Sequence, residues 1–170
     1  TIINGNIDML NGNNKITLKK GSAVNGTITT GTGADTIAIE NGAVANGEII
    51  MGAGEDNLSL KSGAIVNEKI NMGDDNDTLT IEKGSMVNGT LDGGTNFVID
   101  ALSGIADRTE KDTLNLGIAG ESSNSEGIRI QHDISNFENI NVDTNVTFYE
   151  KTNDDDGKEK DLEITGANEI

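Results

Sequence analysis

A register of twenty-one residues runs through the first half of this chain and limits what it can fold into. Asn4, Asn25, Asn46, Asn67 and Asn88 stand at that interval without a gap, and Gly follows four of the five, Glu68 being the exception. Three places after each Asn comes Ile7, Ile28, Ile49, Ile70 or Leu91. Gly21, Gly42, Gly63 and Gly84 make a second column. Alternate apolar pairs make a third: Ile16 with Leu18, Ile37 with Ile39, Leu58 with Leu60, and Leu79 with Ile81. A fixed period of this length is the mark of a solenoid, in which each unit buries its apolar face only against its neighbours.

Within each unit the apolar residues recur at every second position, as in "DTIAI" and "DTLTI", so the local structure is strand rather than helix. Gly and Asn interrupt any helix-length window. The L-x-x-L-x-L pattern of leucine-rich repeats is missing, and ankyrin and tetratricopeptide units differ in period and need helices. The expected fold is therefore all-β: a right-handed parallel β-helix whose coils stack about 4.8 Å apart and turn each column into a ladder. Strands are expected near 35–39, 43–46 and 48–51 of one coil. The strand pairs, the Ile49 column, Met9, Thr30, Met51 and Met72 are expected to point inward. Residues 1–94 read as regular coils and 95–170 as continuing coils of one domain. Strand patterns recur there at 96–100, 112–116, 127–131, 138–143, 145–150 and 161–166. Polar insertions at 101–111, 117–126 and 152–161 read as loops, with a helical turn expected near 104–110.

Twelve basic against 29 acidic residues leave a formal charge of −17, which disfavours nucleic acid and anionic membranes as partners. No Cys is present, so neither disulfides nor Cys-ligated zinc are available. No apolar run approaches the roughly 20 residues of a membrane span, and no signal peptide opens the chain. The chain starts and stops inside repeat-like patterns, as expected of a segment of a longer protein.

Several residues are candidates for function. The Asn column suits sharp corners and a hydrogen-bonded amide ladder, with a ligand-binding row as the alternative reading. Its N-x-Thr triplets at Asn25 and Asn88 follow from the repeat. Asp35, Asp56 and Asp77 follow glycines in "GTGADTI", "GAGEDNL" and "GDDNDTL", which resemble the calcium nonapeptide G-G-x-G-x-D-x-U-x. Two readings stand beside each other: each Asp caps its own corner, or the three bind calcium. Asn14 breaks the Asp column one unit earlier. The motif returns only once per twenty-one residues, so nothing supplies the opposing half of a site that needs six to eight oxygens. The loop at 152–161, with Asp154, Asp155, Asp156, Lys158 and Lys160, is the first candidate for partner contact. Enzyme chemistry finds little support. His132 is the single histidine, beside Asp133 and Ser135, whereas triads draw on separated segments. Arg108 and Arg129 are the only arginines, and the aromatics are Phe97, Phe137, Phe148 and Tyr149. Carbohydrate-active sites need acids set among such residues.

The Asn-Gly coils, followed by "HDISNFENINVDTNVTFYE" at 132–150 and "LEITGANEI" at 162–170, resemble passenger domains of type V autotransporters, in particular the large fusobacterial-type adhesins. The resemblance is most specific at Ile134, Phe137, Glu138, Ile140 and Val146. It implies a secreted β-helical stalk or adhesin on the bacterial cell surface, anchored in the outer membrane by a C-terminal barrel absent from this sequence. Its partner would be a protein or glycan on host or bacterial cells, and it would need no cofactor. Absence of Cys suits passage of an unfolded chain. Alternatives are a calcium-stabilised repeat module of a secreted protein and a carbohydrate-active β-helix enzyme. Open coil ends would favour end-to-end association.

Overall fold

The computed structural model describes residues 1–94, 98–99, 106–107, 111–118, 127–131, 133–148 and 164–165, with the backbone alone at 98–99, 106–107 and 164–165. Short alternating strands separated by Asn-Gly and Gly-x-Gly corners carry the chain round a three-sided coil, and each side stacks into a parallel sheet. The first sheet contains β1 (Ile2–Ile3), β4 (Ala23–Val24), β7 (Val44–Ala45), β10 (Ile65–Val66), β13 (Met86–Val87), β18 (Ile128–Ile130) and β21 (Val146–Phe148). The second contains β2 (Ile7–Asp8), β5 (Ile28–Thr32), β8 (Ile49–Ala53), β11 (Ile70–Asn71), β14 (Leu91–Asp92), β19 (Ile134–Ser135) and β22 (Ile164–Thr165). The third contains β3 (Lys15–Leu18), β6 (Thr36–Ile39), β9 (Asn57–Leu60), β12 (Thr78–Ile81), β17 (Thr113–Leu116) and β20 (Asn139–Val142). The chain is thus an all-β parallel solenoid of about six turns, with no helix among the described residues.

Like pairs with like along the axis. Ile16, Ile37, Leu58, Leu79, Leu114 and Ile140 are successive partners in the third sheet, and Ile28, Ile49, Ile70, Leu91 and Ile134 in the second. These columns, with Val24, Val66, Val87 and Ile130 from the first sheet, form one continuous core. Each fully buried aliphatic contributes roughly 1.5–3 kcal/mol, which offsets the backbone entropy lost at so many glycines. Thr30, Met51 and Met72 lie inside as expected, whereas Met9 is 37% exposed. Met9 is covered by the second coil, to which its N–H donates at Thr29 O, and that contact alone does not enclose it.

Beyond β14 the spacing lengthens but the register survives. Partner residues in the third sheet stand thirty-five apart between β12 and β17 and twenty-six apart between β17 and β20, yet both pairs remain parallel and in phase. Within the longer spacing four residues form β15 (Val98–Ile99) and β16 (Ala106–Asp107), an antiparallel pair outside the three sheets. The helical turn expected near 104–110 is therefore extended strand at 106–107, held by a partner the repeat did not announce; the rest of that turn lies outside the described residues.

Candidate functional site

Two polar ladders run along the corners. The Asn column forms the chain of amides expected of it. Asn25 Nδ2 donates to Asn4 Oδ1 at 2.8 Å, Asn46 to Asn25 at 2.6 Å, Asn67 to Asn46 at 2.6 Å and Asn88 to Asn67 at 2.7 Å. An amide can donate and accept in line, so one residue type repeated every coil satisfies itself without limit. This ladder lies at the surface and its donors and acceptors are turned on one another, an arrangement that stiffens the corner between the first and second sheets.

The aspartate column lies between the second and third sheets and is buried. Asp35, Asp56 and Asp77 are 1%, 2% and 1% exposed, and Asp112 is fully enclosed. Glycines make the approach possible: Gly31, Gly52 and Gly73 have φ near +100°, and a Cβ there would collide with the carbonyl of the preceding coil. Each carboxylate then reaches along the axis. The N–H of Asn14 donates to Asp35 Oδ1 at 2.6 Å, that of Asp35 to Asp56 Oδ1 at 2.7 Å, that of Asp56 to Asp77 Oδ1 at 2.8 Å, and that of Asp77 to Asp112 Oδ1 at 2.8 Å. The Asp112 N–H continues the series to Glu138 Oε2 at 2.8 Å. Capping thus passes from one coil to the next, which corrects the expectation that each Asp caps its own corner. A parallel stack puts the neighbouring coil's N–H nearer the carboxylate than its own.

Only one oxygen of each carboxyl is used in this way. Oδ2 of Asp35, Asp56 and Asp77 is buried without a hydrogen-bond partner. Burial pushes the Asp56 carboxyl up to about 7; the Asp35 N–H opposes this, while the charges of Asp35 and Asp75 add to it. Asp77 is pushed up to about 9, again chiefly by burial, against the Asp56 N–H and with the charges of Asp112, Asp56 and Asp75. Asp92 shows the opposite outcome. Burial would raise it, but Asn136 Nδ2 at 2.7 Å, Lys69 Nζ at 2.9 Å and the Gly94 N–H bring it below the usual carboxylate value. The difference lies in the partners.

Asp35, Asp56 and Asp77 each give one oxygen to a backbone N–H, and among the described residues no group of three or more His, Cys, Asp or Glu side chains is disposed to hold a metal ion. Asp154, Asp155, Asp156, Lys158 and Lys160 lie outside the described residues, as does His132.

Buried Asp112 and half-buried Glu138 extend the column and were not singled out by the repeat. The signal was there for Asp112: "DTL" at 112–114 duplicates "DTL" at 77–79, but a spacing of thirty-five hid it from a twenty-one-residue register. Glu138 is one methylene longer and has no such signature. The stretch that carries the family resemblance closes the column and the core around it: Ile134 and Phe137 are fully buried, and Ile140 and Val146 pack against them.

The chain matches no family model, and no match was found among curated proteins or solved structures.

Proposed function

We propose that this chain is a rigid section of a bacterial surface adhesin of the autotransporter passenger type, a rod that holds recognition segments away from the cell. One observation carries this reading. Three parallel sheets keep their register across residue spacings of different length, so the scaffold accommodates inserted segments without losing its strand pairing. A rod of this kind has its core filled by aliphatic columns and one corner closed by the self-satisfying Asn ladder, which leaves the inserted segments to meet a partner. The partner is a protein or glycan on a host or bacterial surface. The acidic surface favours one with basic character and gives no footing to nucleic acid.

The test is adhesion of the purified chain, coupled to beads, to epithelial and bacterial cells and to a glycan panel. A second protein has residues 95–110 replaced by a short Gly-Ser link. The expected result is binding that is lost or weakened by the replacement while the thermal midpoint changes little. Depolymerisation of a polysaccharide by the intact chain, or adhesion indifferent to every excursion, would overturn the reading.

A further inference from the structure

The carboxyl column contains a natural control. Asn14 occupies the same place as Asp35, Asp56 and Asp77, one coil earlier, and its N–H makes the same bond along the axis. Its Nδ2 donates to Gly12 O at 2.8 Å and Thr30 O at 3.2 Å, and by register it corresponds to the Oδ2 that in Asp56 and Asp77 is buried without a partner. By register, the corresponding carbonyls are those of Gly54 and Met72 around Asp56, and of Asp75 and Gly93 around Asp77. The corner is therefore built to receive a donor. An ionised carboxylate has none to offer and would set a second lone-pair-bearing oxygen against carbonyls.

We propose that Asp56 and Asp77 are proton-binding sites inside the rod, held as neutral carboxylic acids whose Oδ2–H fills the donor place that the Asn14 amide fills, so that the solenoid gains stability as its surroundings acidify. The charged groups around them agree in sign. Asp35 and Asp75 face Asp56; Asp56, Asp75 and Asp112 face Asp77; Glu138 closes the column, and Asp74 and Glu55 lie on the adjoining turns at the surface. No basic side chain is among the groups that shift either carboxyl. Burial pushes the Asp56 carboxyl from the ordinary value of 3.8 up to about 7 and that of Asp77 up to about 9. Between those limits the folded chain binds more protons than the unfolded one. The contribution is complete below about pH 4 and is lost as pH rises through the folded values, by up to tenfold in the folding constant per pH unit for each protonated group. Because the two groups interact, the loss is read as one property of the pair.

The experiment is a series of thermal and urea unfolding curves from about pH 5 to pH 10 on the chain and on its Asp56→Asn/Asp77→Asn form, with the infrared carbonyl band of protonated carboxyl groups followed on the unmodified chain. Asn14 shows that Asn fits the column. The expected result is a midpoint that falls steadily with pH for the unmodified chain, a clearly flatter profile for the double variant, and a variant more stable than the parent at the alkaline end. The protonated-carboxyl band should persist at neutral pH and vanish with alkali, an outcome that holds the proposal to account even if the variant does not fold. A midpoint that is level or rises with pH would overturn it, as would absence of the band at pH 6. So would a rise in midpoint on adding calcium chloride at pH 9 that the double variant lacks, since the column would then hold a cation.

Discussion

Gly52 and Gly21 both have positive φ, at +103° and +74°, but they differ in what surrounds them. A Cβ on Gly52 would overlap the Gly31 carbonyl oxygen outright, with the carbonyl carbon at 2.9 Å and Cα at 3.2 Å; a Cβ on Gly21 would meet nothing within 4 Å. Gly21→Ala therefore carries only the left-handed backbone penalty, about 1–2 kcal/mol. Gly52→Ala carries at least that, and the coils must also part by about 1 Å from their ~4.8 Å spacing. That opening strains the Gly31–Gly52 and Thr32–Ala53 pairings and the bond from the Gly33 N–H to Ala53 O. With about 1 kcal/mol for each of two or three bonds, the total is roughly 3–5 kcal/mol. The difference between the variants is then about 2–3 kcal/mol, or about 1–1.5 M in urea midpoint for a slope near 2 kcal/mol per molar. Equilibrium urea unfolding of both variants beside the parent measures it. Equal midpoints would refute the reasoning, because they would mean that positive φ alone, and not contact between coils, demands glycine at 52.

Two further outcomes are expected. Asn46→Ala removes one amide bond to Asn25 and one from Asn67 and should lower stability by about 1–3 kcal/mol, with Asn4→Ala, which ends the ladder, losing less; thermal melts of the pair decide it. Leu58→Ala, at a fully buried position, should lower stability by about 2–5 kcal/mol. Because each coil touches only its neighbours, amide hydrogen exchange should show the lost protection concentrated in β6, β9 and β12.

The unequal legibility of the two ladders has a physical cause. Asn4 to Asn88 could be read as a bonded series because an amide both donates and accepts, so identical residues in register need nothing else. Asp35, Asp56 and Asp77 carry no such guarantee. A carboxylate row is repulsive on paper, and only the enclosure by β5, β8 and the third sheet, with N–H groups arriving from the preceding coil, shows how it is tolerated. Asp112 and Glu138 enter that row through spacings of thirty-five and twenty-six residues, which no fixed period detects.

Periodicity is a local property, and it settled the strand alternation, the stacking direction and the residues that face inward from 16 to 91. The chain by itself thus determined a parallel solenoid with an Asn corner. Where partners are distant or unequal in spacing, the outcome depended on enclosure in three dimensions. Met9 is exposed although Thr30, Met51 and Met72 of its column are enclosed, and 98–99 pairs with 106–107 outside the three sheets. The buried carboxyl column owes its character to the same cause: burial and the position of a neighbouring N–H decide whether an aspartate is a charge or an acid, and neither is written in the repeat.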